Sequence, residues 1–563
     1  MTPVTLVDEQ ANEYIAEVAE LDPCLATVLG LTGTEARLTD YSPDGFAARD
    51  HLNRRARGAI VGVEASSWGE RVAAKMFRDH LDREIEAFEA GFVEAMFNPI
   101  DGPTRDLQLS IELLDQGSAT PWPNVLARLR AMPDSLSGLT QTLREQRQAH
   151  RLAARRQVLL GAEQCDQAAA YLEELSRRCP EGRLAVDVER AAERAAGAFH
   201  SFASFCRGEL APFAPERDAR GEDRYRLGAR YFMGAELDLP ETYAWGWNEI
   251  SRIEAEIKAV AERIAPGDPL SVVLGKLDSD PAHSMAGVDM FRAWLQELAD
   301  RAIADLDGVH FEIPMPLRRI ECRIPPTAVG GIYYLPPSED FGRPGQVWWT
   351  VTNEQIPTWT VPSTMYHEGV PGHHLQQGMA VCNSDRLNRL RRVASEWCYS
   401  GYMEGWGLYA ERLMGELGYY GDPAHHLGML TQQRWRAARV VLDIGLHLEL
   451  EIPKGAGFHE GQRWTRQLGI EFLRDRGALF EERLVTYEID RYLGRPGQAA
   501  SYKLGERTWL EVREQAKRRD AAAFDLKAFH KAALDLGPMG LDSFRDVMAG
   551  LDNAGSASSA RPT

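Results

Sequence analysis

The sequence predicts a large, mainly α-helical protein organised around a metal site. Apolar residues recur at three- and four-residue spacing through most of the 563-residue chain, with charged residues between them, which is typical of amphipathic helices. The stretch 366–376 carries three histidines and a glutamate, which suit a divalent metal and a general base. Between residues 308 and 352, short β-branched and aromatic runs separated by prolines predict a small antiparallel β-sheet near that stretch, or an inert connector.

Helices are predicted on both sides of the sheet. The N-terminal ones are Glu9–Leu21, Arg71–Phe97, Leu139–Arg178, Leu184–Phe205, Pro240–Ile264 and Met290–Leu306, and the longest C-terminal one is Arg434–Glu451. We therefore predict an N-terminal helical half (1–307) and a second half that holds the metal site and the sheet (308–552), with the site in a deep cleft between them. The small and polar residues 553–563 predict a disordered tail.

Composition excludes several classes of protein. The formal net charge of −19 argues against binding to nucleic acid or to anionic membranes. Seven scattered cysteines without a Cys-x-x-Cys pair indicate neither a disulfide framework nor a cysteine zinc site. The first residues lack the features of a signal peptide, and no apolar run approaches the roughly 18 residues of a membrane span. We expect a cytoplasmic enzyme, with a homodimer as an open alternative to the monomer.

The histidine spacing departs from the common zinc-protease motif, in which two histidines four residues apart face one side of a helix. Here Pro371 stands four residues after His367, and the next histidines are His373 and His374. On a straight helix, His374 would share a face with His367 but lie about 10.5 Å further along. Pro371 and Gly372 predict a bulge that returns one histidine to the metal face. The alternative is a polar helix end whose histidines bond locally.

A third protein ligand is predicted in the stretch 404–411. Glu404 and Glu411 are seven residues apart and therefore share a helix face. Such pairs usually form a solvated face, but the glycines and aromatic residues around Glu404 favour close approach of another backbone. A carboxylate buried there needs a partner, and a metal ion would be one.

These motifs resemble the bacterial family called domain of unknown function 885. The segments that carry the resemblance are His367-Glu368-x-x-Pro371-Gly372-His373-His374-x-Gln376, Glu404-Gly-Trp-Gly-Leu-Tyr-Ala-Glu411, Arg495-Pro-Gly-Gln-Ala-Ala-Ser-Tyr502-Lys-Leu-Gly505, Asp22–Gly30 and Tyr333–Gly345. That family is similar in fold to the metal-dependent carboxypeptidases of the carboxypeptidase Taq type. The resemblance implies a metallopeptidase-like fold. It also favours His373 as the ligand, through the matching Gly372-His373, and gives Tyr502 a place at the active site.

The groups then suggest a mechanism. His367, His373 and Glu404 are expected to hold one divalent ion, most simply zinc, with manganese or cobalt as alternatives. Glu368 follows His367 directly, projects to the neighbouring face and is expected to be the general base. Through the resemblance, Tyr502 is expected to donate a hydrogen bond to the tetrahedral oxyanion.

Other residues complete the candidate set. His374 and Glu411 are either alternative ligands or side chains that orient a ligand. The candidates for substrate contact are Tyr334, Arg343, Arg439, His447 and Arg495, of which the three arginines could hold a carboxylate by a forked contact. Each arginine could equally form a surface ion pair, and His447 could be a core residue bonded to Asp443, four residues before it.

The predicted function is therefore a metal-dependent hydrolase, of which a zinc-type, carboxypeptidase-like peptidase acting on short peptides is the favoured form. One alternative is a metal hydrolase of a non-peptide amide or ester. The other is a non-catalytic protein that retains the fold. The sequence leaves open whether such a peptidase cleaves at chain ends or internally.

Overall fold

Helices make up most of the chain, as the sequence predicts. This computed structural model describes residues 5–92, 97–98, 102–114, 120–325, 331–351, 354–393, 397, 399–476 and 482–550. The α-helices are Leu6–Leu21, Pro23–Val28, Pro43–Val61, Trp68–Glu89, Pro103–Glu112, Trp122–Gln148, Arg155–Ser176, Arg183–Phe205, Glu222–Met233, Leu239–Ile264, Leu270–Ser279, Val288–Leu306, Val361–Glu368, His373–Cys382, Arg389–Val393, Ser400–Glu416, Pro423–Leu448, Arg466–Arg476, Glu482–Gly494, Gln498–Asp520, Leu526–Asp535 and Leu541–Ala549. The predicted tail, 553–563, lies outside the described residues. None of the described helices is both long and apolar enough to cross a membrane.

In the part of the chain that the structure describes, five short strands form two small sheets. They are β1 (Ser284–Ala286), β2 (Ile320–Arg323), β3 (Ile332–Leu335), β4 (Gly345–Trp349) and β5 (Gln355–Pro357). β1 pairs with β5 antiparallel, and β3 pairs with β4 antiparallel as predicted. β2 pairs with β4 in parallel, so the three-stranded sheet, in the order β2-β4-β3, is mixed.

The chain forms two compact units, each discontinuous in sequence. Within the described residues, one consists of 5–227 and 486–496, and the other of 228–485 and 497–550. Residues 228–307, which the sequence assigned to the N-terminal half, thus group with the predicted metal ligands. The reason is packing, because the Leu239–Ile264 helix lies along the Pro423–Leu448 helix.

The unit that contains residues 5–227 has an apolar core between three long helices. Leu129, Ala162 and Phe199 come from the helices Trp122–Gln148, Arg155–Ser176 and Arg183–Phe205, and all three side chains are fully buried. Complete burial of such side chains contributes about 1.5–3 kcal/mol each to folding for the larger ones. Helix packing of this kind follows from the apolar spacing that the sequence displays.

The prediction of one helix from Leu139 to Arg178 is wrong. The first helix ends at Gln148, and His150 has a positive φ of 56°, a left-handed conformation that cannot continue an α-helix. A new helix begins at Arg155, whose backbone N–H donates to the carbonyl oxygen of Pro215 at 2.8 Å. Because the apolar spacing continues across the break, periodicity alone does not reveal it.

The second unit contains a buried histidine with a predictable effect on stability. His530 is 1% exposed, stacks on Phe311 at 4.9 Å between ring centroids and hydrogen-bonds through Nε2 to the Tyr409 hydroxyl at 2.7 Å. Burial, together with the charge of Arg513, lowers the pKa of His530 from 6.5 to about 3. The folded protein therefore keeps this ring neutral where the unfolded chain would protonate it.

We expect acid to weaken the fold through His530. Below pH 6.5 the unfolded chain binds about one more proton at this residue, so the free energy of unfolding should fall by about 1.4 kcal/mol per pH unit until the folded pKa is reached. Urea unfolding at pH 7 and pH 5 measures this dependence. His530→Gln, which does not titrate, should show a smaller loss than the wild type. An equal loss in both proteins would contradict the assignment.

Candidate metal centre

Three predicted ligands lie together in the second unit. His367 is in the last turn of the Val361–Glu368 helix, His373 begins the next helix, and Glu404 is in the Ser400–Glu416 helix. Glu404 Oε2 lies 3.2 Å from His367 Nε2 and 3.7 Å from His373 Nε2. Donor atoms that share one tetrahedral zinc at 2.0–2.1 Å are about 3.3 Å apart. The spacing and the donor types therefore fit a divalent ion.

The other nitrogen of His367 is bound by a buried carboxylate. Its Nδ1 lies 2.8 Å from Glu411 Oε1, and the Ser363 hydroxyl donates to Glu411 Oε2 at 2.8 Å. Glu411 is 1% exposed. This arrangement fixes the orientation of the imidazole and directs Nε2 toward Glu404. Metal-binding histidines are commonly held by a carboxylate in this way.

The charges of the cluster are strongly coupled. Burial alone would lower the pKa of the His367 imidazole, but hydrogen bonds to Glu404 and Glu411 outweigh it and raise the pKa to about 10. Burial would raise the pKa of Glu404, but its hydrogen bonds to His367 and His373 dominate and hold that pKa well below the ordinary value. The site therefore stabilises a positive charge next to its carboxylates. A divalent cation would meet the same field.

Glu368 lies at the end of the helix that carries His367, and it is buried. Burial raises the pKa of its carboxyl group above 4.5, although the nearby imidazoles of His367 and His373 oppose the shift. A glutamate with a raised pKa can both accept and return a proton near neutral pH.

The predicted bulge is a complete break between two helices. The first helix ends at Glu368 and the second begins at His373, so four residues separate them, two more than the predicted insertion. Gly369 and Gly372 both have non-helical ψ angles, near −128° and −129°, and Pro371 lacks a backbone N–H. The buried Trp406 indole donates from Nε1 to the carbonyl oxygen of Pro371 at 2.8 Å. This contact holds the break against the helix that carries Glu404.

Close backbone contact explains the glycines around Glu404. A Cβ atom on Gly405 would lie 2.5 Å from the Cα atom of Gly505 in the Gln498–Asp520 helix. A Cβ atom on Gly407 would lie 2.5 Å from Cε1 of His367. Larger side chains at these positions would push the helices apart and displace the imidazole.

His374 lies outside the cluster, and its bonds leave no lone pair for a metal. Its Nε2 donates to the Leu317 carbonyl oxygen at 2.9 Å, which only accepts, so Nδ1 accepts from the Tyr334 hydroxyl at 2.9 Å. Burial lowers the pKa of His374 to about 4, so the ring is neutral. Tyr334, predicted to contact substrate, is 3% exposed and instead positions His374.

The remaining predicted residues are dispersed. The guanidinium of Arg439 lies 4.5 Å from the ring centroids of both Trp435 and Tyr502. His447 is fully buried with its Nε2 3.7 Å from Asp443, which fits the predicted core role and not substrate contact.

Arg343 and Arg495 are the other two predicted arginines. Arg343 is half-buried, and its backbone N–H donates to the Ser338 hydroxyl at 2.9 Å. Burial lowers the pKa of its guanidinium. Arg495 belongs to the compact unit that does not contain the cluster.

Sequence reasoning missed two cations near the cluster. Arg436 interacts electrostatically with Glu411, Glu404 and Tyr502, and burial lowers its pKa. Its position three residues before Arg439, on the same helix face, was the available signal.

The second missed cation, Lys503, is 1% exposed and stands inside the Tyr502–Gly505 motif. Its Nζ donates to Gln433 Oε1 at 2.5 Å, lies 3.1 Å from Glu249 and pairs with Glu506. Gln433 donates in turn to Glu411 Oε2 at 3.5 Å. A polar chain therefore runs from Lys503 to His367.

The fold and the cluster define a mainly helical protein with a His–His–Glu candidate metal centre, in which both histidines are buried and the glutamate is partly exposed. The chain belongs to the bacterial family of proteins of unknown function called DUF885, whose model matches residues 23–548. The predicted family is thus confirmed.

Solved structures give a second comparison. One, described as "the putative lipoprotein from Colwellia psychrerythraea", is 21% identical, with a TM-score of 0.80 over 97% of this chain and 99% of that chain. Another, described as "a putative lipoprotein of unknown function from Shewanella oneidensis", is 16% identical, with a TM-score of 0.72 over 97% of this chain and 100% of that chain. Likeness at this identity shows a shared fold alone. No curated protein matches the chain at a significant level.

Removal of the buried lysine should destabilise the protein strongly. Lys503→Met leaves the buried Glu506 with only the more distant Arg412 at 3.7 Å, while Glu249 keeps Arg252, so the free energy of unfolding should fall by about 3 kcal/mol. Lys517→Met on the same helix is the control, because the Lys517 side chain is 40% exposed and pairs with the half-exposed Glu514; its effect should stay within about 0.5 kcal/mol. Urea titration measures both. Similar losses would contradict the role assigned to Lys503.

Proposed function

We propose that this protein is a metal-dependent hydrolase that cleaves peptide bonds in short peptides, with a carboxypeptidase-like mode of action. The observation that carries the proposal is the convergence of His367, His373 and Glu404 beside the buried Glu368. Two imidazoles and one carboxylate are a common ligand set of hydrolytic zinc sites, which keep one further position open.

His367, His373 and Glu404 would hold one divalent ion, and the atoms that approach one another are Nε2 of each imidazole and Glu404 Oε2. When bound, such an ion acts as a Lewis acid that polarises a carbonyl group and lowers the pKa of a water molecule. Glu411 keeps His367 in the orientation and tautomer that this binding needs. Zinc is the favoured metal, with manganese and cobalt as alternatives.

Glu368 is proposed as the general base. Its carboxylate would accept a proton from the attacking water and then donate that proton to the leaving amine. Both tasks need a pKa nearer to neutrality than that of an exposed glutamate, and burial shifts Glu368 in this direction. Its place directly after a ligand histidine keeps the proton transfer next to the reacting centre.

Two further side chains are proposed to act on the substrate. The hydroxyl of Tyr502 would donate a hydrogen bond to the oxyanion that forms during attack. Arg439, stacked on the Tyr502 ring, holds that ring in place and puts a permanent positive charge beside it. The carboxylate of a peptide C-terminus is a suitable partner for such a charge.

Resemblance to carboxypeptidases of the Taq type supports peptide substrates. The matching features are Gly372-His373, the Glu404/Glu411 pair and the motif Ser501–Gly505. A metal hydrolase of a non-peptide amide or ester is the second candidate, because the same ligand set suits either bond. Release of free amino acids from short peptides, compared with turnover of small esters, separates the two.

Metal content tests the ligand assignment. We expect His373→Ala to lose about one equivalent of bound metal per chain relative to the wild type, because the cluster loses one of three donors. His374→Ala should keep the wild-type content, because both of its ring nitrogens bond to protein atoms. Elemental analysis after reconstitution with zinc, manganese or cobalt provides the measurement. Retention of metal by both variants would remove His373 from the ligand set.

Activity tests the role of Glu368. Glu368→Gln should retain metal but lower peptide hydrolysis by about 10²–10⁴-fold, because the amide has nearly the same shape and cannot accept the proton. Amino acid release from a mixture of short peptides, followed by amine detection, provides the assay. Glu297→Gln, at an exposed surface pair with Arg301, is the matched control. Loss of both metal and activity in Glu368→Gln would show that Glu368 is a ligand and not the base.

A further inference from the structure

A second group of metal-binding side chains lies at the surface of the same compact unit. His283 ends the short turn Pro281–His283, Asp422 is the N-cap of the Pro423–Leu448 helix, and His425 lies in the first turn of that helix. One donor atom from each lies within 4.8 Å of the others. We propose that these three residues form a second divalent-metal site, suited to zinc, that links the turn to the helix.

The geometry around Asp422 suits a shared ion. Its Oδ2 lies 3.0 Å from His283 Nε2, close to the separation of about 3.3 Å between two ligands of one tetrahedral zinc. The rings of His283 and His425 are perpendicular, with centroids 5.9 Å apart. Asp422 and His425 are three residues apart and therefore share a helix face. Two histidines and one carboxylate form the same donor set as the first cluster.

Hydrogen bonds prepare His283 and Asp422 for this role. Asp280 Oδ2 lies 2.9 Å from His283 Nδ1, and the Ala282 N–H fixes the other oxygen of Asp280 at 2.9 Å. A proton on Nδ1, shared with Asp280, leaves the Nε2 lone pair directed at the site. Asp422 uses Oδ1 to accept from the Ala424 N–H at 2.8 Å, which leaves Oδ2 for the ion.

His425 distinguishes a metal site from a simple ion pair. A protonated His283 between Asp280 and Asp422 would satisfy those three residues without any metal. That ion pair does not engage a ring nitrogen of His425, although the ring faces His283 edge to face and interacts electrostatically with Asp422. An ion would engage His425 and Asp422 together.

The site is open enough to load from solvent. The side chains of His283 and Asp422 are 16% and 41% exposed, so water can complete the coordination. The carbonyl oxygen of His283 accepts from the Thr358 N–H at 2.8 Å, just after strand β5. The metal would thus tie the β1–β5 pair to the helix that carries Gln433 and Arg439. Its expected effect is on stability.

Zinc binding to the full-length chain tests the proposal. Glu404→Ala lowers zinc binding at the first cluster and serves as the starting protein. The measured quantity is the difference in zinc content between Glu404→Ala and the double variant that also carries His425→Ala. We expect a loss of about one equivalent per chain after equilibrium dialysis against zinc chloride. His426→Ala is the matched control, because His426 is the next residue but stacks on Tyr420 outside the cluster. It should keep the zinc.

The effect of zinc on Tm is a second measurement, and it distinguishes the loss of a ligand from misfolding of the variant. Zinc should raise the Tm of Glu404→Ala and of its His426→Ala derivative, whereas His425→Ala and His283→Gln should remove this shift. Unchanged zinc content in the His425→Ala and His283→Gln proteins, or an unchanged Tm shift, would overturn the second site and leave the proposed hydrolase unaffected. If the Glu404→Ala protein itself binds no zinc, the second site does not exist, and the proposal is likewise overturned.

Discussion

The hydrogen bonds of the buried Glu411 carboxylate are the interaction on which the candidate metal centre depends. A charge at 1% exposure is costly unless it is fully bonded, and Glu411 is held by Ser363, His367 and Gln433. These bonds fix the His367 imidazole from behind and so decide where its Nε2 points. Gln433 extends the same network to the buried Lys503. The cluster is therefore supported by a polar layer that is itself almost free of solvent, and its geometry is stiffer than that of a surface site.

Close backbone packing at glycines is the second constraint on the geometry of the candidate site. Gly405 and Gly505 bring two helix backbones together, and Gly407 leaves room for the His367 ring. Their effect is to place Glu404 beside two imidazoles that lie on opposite sides of a helix break. Trp406 closes this arrangement, because its indole bonds to the carbonyl oxygen of Pro371 within the break. The residues around Glu404 therefore pack two helices together, position the candidate ligands and stabilise the interrupted backbone.

Features that depend on local spacing could be predicted from the sequence. The helical class follows from periodicity. The convergence of His367 and Glu404 with one of the two later histidines follows from a Pro-Gly interruption and from a seven-residue glutamate spacing, whereas the choice of His373 rests on the family resemblance. The helix break at His150 could not be predicted, because the apolar pattern continues through it. The parallel pairing of β2 with β4 could not be predicted either, because it depends on contacts between distant segments. Lys503 looks like any helical lysine until tertiary packing surrounds it with carboxylates.

The two His–Asp/Glu clusters share the same hydrogen-bonding arrangement but differ in their exposure to solvent. In each, a carboxylate binds Nδ1 of a histidine whose Nε2 faces a second carboxylate: Glu411 with His367, and Asp280 with His283. The first is buried within a connected polar network, so its ligands lose little freedom when an ion binds. The second is partly exposed, and water competes for its donor atoms. We therefore expect the first to bind metal more tightly while its partly exposed Glu404 leaves access for water, as a hydrolytic centre requires, whereas the second can exchange its ion and serve the fold.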